Sequence, residues 1–151
     1  MGWESLDYYP GKRAKKEPLP DGIRVGITGN RKTSHGVIQM TIGANLARKL
    51  GLRADRESVA LLVGDGAEAG MLAIAWSPHG TGPFAASGKG QGGRFVLRLN
   101  HASVGEIFSF DFQPFAVTRV EVLEGRDGQP RRIVFKPDTV IWRRDDLELA
   151  A

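Results

Sequence analysis

Cysteine is absent from this sequence, which excludes disulfides, thiolate metal sites and thiol nucleophiles together. Histidine is scarce: His35, His79 and His101 sit in glycine-rich or turn-like surroundings with no i, i+4 spacing and no H-E-x-x-H pattern, so no metal site is expected. No stretch approaches the roughly 18 to 20 consecutive apolar residues of a membrane helix, so no membrane association is expected. The N-terminal residues MGWESLDYYPGKRAKKEPLP lack the apolar core of a secretory signal, and Leu6 stands where a myristoylation signal wants serine or threonine. The expected address is therefore the cytoplasm. Catalytic motifs are missing as well. SGKGQGG (87–93) lacks the G-x-x-x-x-G-K-[ST] order and precedes a strand pattern instead of opening a helix. Asp65 and Glu68 in GDGAEAG are accounted for by Asp-Gly turn chemistry, and nothing in one sequence places a second acid/base group opposite them. The expectation is a protein with no catalytic residues and no cofactor.

What the chain has is glycine and an uneven charge. Its 151 residues are the size of one domain, and 20 glycines point to tight turns and short elements. Lys and Arg number 21 against 17 Asp and Glu, a formal charge of +4. Up to Gly36 the balance is seven basic residues (Lys12, Arg13, Lys15, Lys16, Arg24, Arg31, Lys32) against four acids, so the surplus lies mostly near the N-terminus. Residues 1–21 read as a basic arm with Pro10, Pro18 and Pro20 around KRAKK. Two readings fit it, a strand of charge lying along phosphates or a solvated tail.

The pattern changes at Gly22. IRVGIT (23–28) and VIQMTI (37–42) alternate as half-buried strands, GANLARKLG is a two-turn helix with Leu46 and Leu50 on one face and Gly51 as its stop, and ESVALLV and MLAIAW form a hairpin. Residues 80–93, with six glycines in 14 positions, read as a linker. Beyond it the order recurs. RFVLRL is a strand, NHASVGEIF a short helix capped by Asn100 with Val104, Ile107 and Phe108 as its apolar face, and AVTRVEVL with RRIVFK a second hairpin. Ile38 and Val96 are 58 apart, Val63 and Leu123 60, and Leu72 and Ile133 61, which suggests a divergent duplication of a β-α-β-β unit. The alternative is a chance succession of strands. The expected organisation is one β-rich domain over 22–137, with units at 22–79 and 94–137, and a tail over 138–151 that Trp142 could anchor.

The segment 37–76 resembles the AbrB/MazE/SpoVT swapped-hairpin family of DNA-binding domains. The matching features are the strand ending in Thr41 and Ile42, the helix LARKLGL with Arg48 and Lys49, the close at Leu50, Gly51 and Leu52, the strand SVALLV and the acidic glycine turn of the last hairpin. Gly43 stands in place of the family's proline, and the family's Gly-Asp before the third strand is absent from RADRESV. The resemblance implies a dimer of interleaved hairpins. With a second copy over about 94–137, one chain would contain both halves, giving a mainly β fold with short helices, a small AbrB-like β-barrel built from two β-α-β-β units as a pseudo-dimer. A generic small barrel is the alternative.

Binding is the expected activity. Arg24, Arg31 and Lys32 precede or enter the first matched strand, and Arg48, Lys49, Arg53 and Arg56 lie on or just after the short helix. Arg94 and Arg98, followed by Arg119, Arg131 and Arg132, form a basic set in the second copy. Such residues can hold phosphate backbone and base edges of DNA, or simply form a polar surface. Two functions follow: a DNA-binding regulator or accessory factor of a phage or mobile element, or a protein-interaction adaptor with no nucleic-acid role. The chain is expected as a monomeric pseudo-dimer or as a homodimer.

Overall fold

The computed structural model describes residues 19–29, 36–77, 82–88, 93–125 and 130–143. Nine strands carry the fold: β1 (Ile23–Thr28), β2 (Val37–Ile42), β3 (Arg56–Val63), β4 (Leu72–Trp76), β5 (Phe84–Gly88), β6 (Phe95–Asn100), β7 (Phe115–Val117), β8 (Val120–Leu123) and β9 (Arg132–Phe135). Two short helices, α1 (Ala44–Leu50) and α2 (His101–Val104), follow β2 and β6. Local chemistry sets their ends. Gly51 closes α1 at φ 101°, where its N–H reaches the carbonyls of Ala47 and Arg48. Asn100 opens α2, its side chain accepting the Ser103 N–H at 2.9 Å.

All strand pairs are antiparallel, in the order β7-β1-β2-β6-β5-β3-β4-β9-β8. The two ends of that order, β7 and β8, are consecutive in the chain with only Thr118 and Arg119 between them. The sheet therefore curls into a nearly closed barrel. Alternation fills its interior with Val25, Ile38, Met40, Ile42, Val59, Leu72, Ile74, Ala86, Phe95, Leu97, Leu99, Ile133 and Phe135, all at most 2% exposed. Each large side chain among them contributes roughly 1.5–3 kcal/mol by leaving water. Leu46, Ala47 and Leu50 of α1 join this core, and Val104, Phe108, Ile141 and Trp142 extend it.

The sheet order separates elements that are adjacent in sequence. Hairpin β1-β2 lies between β7 and β6, and hairpin β3-β4 lies between β5 and β9. Neither hairpin of the first half pairs with the other; strands of the second half border both.

Several sequence expectations need correction. The 80–93 linker contains β5, which pairs with β3 on one side and β6 on the other. FAASG has almost no branched side chains to announce a strand, and its small residues fit because Ala86 is fully enclosed. AVTRVEVL divides into β7 and β8, because its first half pairs with β1 and its second half with β9. The 58-residue spacing of Ile38 and Val96 fails against the pleat: Ile38 points into the core opposite Leu99, whereas Val96 lies between two enclosed residues and points out. Ile107 is 37% exposed and is not part of the α2 apolar face. Trp142 does anchor the segment after β9, packing 5.5 Å from Phe108. None of the helices among the described residues is long and apolar enough to cross a membrane.

Candidate nucleic-acid interface

The alternation that points one set of side chains inward points the other set out. On the outer face a continuous row runs Ala116, Arg24, Thr41, Val96, Ser87, Arg56 across β7, β1, β2, β6, β5 and β3. Beside it run Gly26, Gln39 and Arg98, then Thr28, Val37 and Asn100. Arg94, exposed, lies just before β6 on the same side. Arg24, Arg94 and Arg98 thus lie over the adjacent strands β1, β2 and β6 with threonine, glutamine and asparagine, and no acidic residue stands in these rows. Counted along the curved sheet at about 4.8 Å per strand, Arg24 and Arg56 are roughly 19 Å apart, and four strands of the nine carry them to nearly opposite sides of the barrel.

The outer face of β3, β4, β9 and β8 is different. Its rows run Leu62, Ala73, Val134, Glu121 and Ala60, Ala75, Arg132, Leu123. Leu62 is 46% exposed. The outward residues are therefore cationic and donor-rich over β1, β2 and β6, and mostly small and apolar over β4 and β9, where Ala73 and Ala75 are buried. Arg132 falls in the second of these regions, and Arg131 is held by Glu124 at 3.0 Å. The basic set expected in the second copy is split, with Arg94 and Arg98 brought beside Arg24 by the β2-β6 pairing and the others carried elsewhere.

On α1, Arg48 and Lys49 are exposed in the last turn, where they complement the helix dipole. The Arg48 Nη2 donates to Asn45 Oδ1 at 3.1 Å, and Asn45 Nδ2 donates to Asp21 Oδ1 at 3.2 Å. This chain ties the helix to the residues that lead into β1. Arg53 is exposed, and its backbone N–H, with that of Ala54, donates to Glu57 Oε2, so that carboxylate closes the turn into β3. Arg31 and Lys32 lie outside the described residues, as do His35, His79 and most of the 1–21 arm.

A groove of about 790 Å³ crosses the cationic face over β1, β2 and β6. Arg24, Gln39 and Thr41 form part of its floor; Pro20 with Gly43 and Ala44 stands on one side and Pro114 with Ala116 on another. Gly26 keeps the floor low, since an added Cβ there would reach Pro114 Cβ at 3.6 Å. Neither the groove nor the contribution of Gln39 and Thr41 was visible as a site in the sequence; the available signal was that VIQMTI places polar residues at every second position.

The chemistry of this face is donation to anions. Among the described residues no three His, Asp or Glu side chains converge to hold a metal ion. His101 is exposed and meets Phe110 edge-on at 5.1 Å. Comparison with known proteins finds no matching family model, no matching curated protein and no matching solved structure.

Proposed function

We propose that this is a non-enzymatic DNA-binding protein whose cationic sheet face lies on the phosphate backbone, in the manner of an AbrB-like regulator or an accessory factor of a phage or mobile element. The observation that carries this reading is that the β2-β6 pairing sets Arg94 and Arg98 beside the β1-β2 hairpin, whose outward rows hold Arg24 and no acid. Guanidinium forks bind phosphate oxygens bidentately, and the hydroxyl and amide groups between them add neutral donors. Arg48 and Lys49 add exposed cations on α1, which packs toward β8 and β9, and the four basic residues of the 1–21 arm are matched by four acids.

The AbrB-like pseudo-dimer is proposed with it, on three correspondences. The ring of strands keeps its order when β1 is exchanged with β5, β2 with β6, β3 with the β7-β8 segment and β4 with β9. The pairs Val59 with Trp76 and Leu61 with Ile74 have counterparts in Val120 with Phe135 and Val122 with Ile133. Each hairpin of one half is bordered by the other half, as interleaving requires.

The test is fluorescence anisotropy with a labelled mixed-sequence duplex across a salt series. Four engaged phosphates give a log-log slope near −3.6, a loss on the order of 100-fold between 50 and 200 mM salt. Replacing Arg94 and Arg98 by glutamine should weaken binding and flatten the slope by about 2, while Arg131→Gln leaves both unchanged. A wild-type protein that does not bind at 50 mM salt removes the reading. The adaptor reading is kept by one observation, the exposed pair Leu62 and Val63 at the end of β3, which suits a protein partner better than a polyanion.

A further inference from the structure

We propose that the free edge of β3 at its Ala60 to Val63 end pairs antiparallel with the same edge of a second copy of this chain, about a two-fold axis at Leu62. The proposal is independent of DNA binding, and it gives the exposed Leu62 and Val63 to a second copy in place of an adaptor's partner. The backbone decides where a strand can be added. The Gly64 N–H donates to the Met71 carbonyl at 2.9 Å and the Ser77 N–H to the Ser58 carbonyl at 3.0 Å, so the even-numbered residues of β3 bond toward β4. The odd-numbered ones turn the other way, where Val59 meets Phe84, the first residue of β5. Ahead of β5 the chain bends across β3, since an added Cβ at Gly82 would lie 2.6 Å from the Val59 carbonyl oxygen. Among the described residues no strand lies beside Leu61 and Val63 on that side, and their N–H and carbonyl groups form a bare edge. Charges and prolines guard such edges, and residues 58–64 contain neither.

A second copy answers this edge group for group. With Leu62 opposite its counterpart, Leu61 of each chain exchanges both hydrogen bonds with Val63 of the other, so every unpaired backbone group of the two edges is satisfied. The two Leu62 side chains, each 46% exposed, then form a close non-hydrogen-bonded pair on the outer face. Val63, 44% exposed although it shares the inward side with Val59 and Leu61, is covered by Leu61 of the other copy. Ala60 meets Gly64, and nothing bulky or charged stands between the strands. No other two-fold register does this. Centred on Leu61, it calls on Val59, already bonded to β5; centred on Val63, it calls on Asp65, beyond the end of β3. A two-fold contact closes at two chains, and one this short is weak enough to dissociate on a sizing column.

The experiment is sedimentation equilibrium of the full chain at concentrations up to about 1 mM, with amide hydrogen exchange followed by NMR at the two ends of the range. The expected result is a dimer with a dissociation constant on the order of 0.1–1 mM. Exchange at Leu61 and Val63 should slow as the concentration rises, while exchange at Leu62, whose N–H points toward β4, should not. Leu62→Lys and Leu62→Glu each set like charges opposite one another and should weaken self-association about tenfold. An equimolar mixture of the two variants should restore it, which a damaged fold would not do. A wild-type chain that stays monomeric at the highest concentration overturns the proposal, as does self-association that leaves exchange at Leu61 and Val63 unchanged or a mixture that fails to recover. Slowed exchange at Leu61 and Val63 on adding a capped Thr-Val-Thr-Val-Thr peptide to a chain that does not self-associate also overturns it, and assigns the edge to a foreign strand.

Discussion

Gly43 stands where the resembled family carries proline, and its surroundings supply the reason. Its N–H donates to the Gly22 carbonyl at 2.9 Å, and an added Cβ would lie 2.1 Å from the Leu19 carbonyl oxygen and 2.5 Å from that of Pro20. Proline would lose that hydrogen bond and put its ring into the Leu19–Pro20 backbone. Gly43→Ala is expected to cost about 1–3 kcal/mol, because backbone must move to admit the methyl group, and Gly43→Pro more; urea unfolding should show a lower midpoint for both at an unchanged m-value. The sequence identified Gly43 as a departure but not its cause, which is a contact with a segment more than twenty residues earlier. Features decided within a single turn were legible: Leu46 and Leu50 facing the core, Gly51 in the left-handed region, Asn100 as a cap. Ile107 was not, because its exposure depends on what packs over the turn after α2.

Among the elements, β5 tests the fold most directly. Ala86 is fully enclosed between Glu57 on β3 and Leu97 on β6, so the strand joins two parts of the barrel that have no other direct pairing there. Ala86→Pro removes a ladder donor from a strand bordered on both sides and is expected to prevent cooperative folding. Ala85→Ser, at a half-buried outward position, should change stability by no more than about 0.5 kcal/mol. Thermal melts followed by circular dichroism compare the two, and a stable Ala86→Pro protein would show that β5 is dispensable. Strands β1, β2, β6 and β9 were readable because apolar residues recur at every second position. The strand in FAASG has no such pattern, and its partners are set by neighbours from 56–59 and 95–97, which no local window contains.

For the whole molecule, the arrangement of hairpins has consequences for assembly. β7 and β8, the two ends of the sheet order, are joined through Thr118 and Arg119, and each hairpin among the described residues is bordered by strands of the same chain. Size-exclusion chromatography with light scattering is expected to give a monomer near 16.4 kDa. A tight dimer that resists dilution would mean hairpin exchange between chains. The same closure creates the uneven outer surface. Arg24, Arg94 and Arg98 come together because β1, β2 and β6 are neighbours in the sheet, while Arg56 and the arginines near β8 and β9 are carried to other parts of the surface.

Local periodicity and turn chemistry determine which segments are strands, where α1 stops and which residues face inward, because each depends on contacts a few residues apart. Strand neighbours depend on pairings between distant segments, and those pairings alone decide that a glycine-rich stretch is a strand, that one apparent strand serves two partners, and that Arg94 and Arg98 come to lie beside Arg24. Charge counted along the chain placed most of the surplus within residues 1–36; the barrel distributes the rest so that a nearly neutral body still has rows over β1, β2 and β6 without an acid.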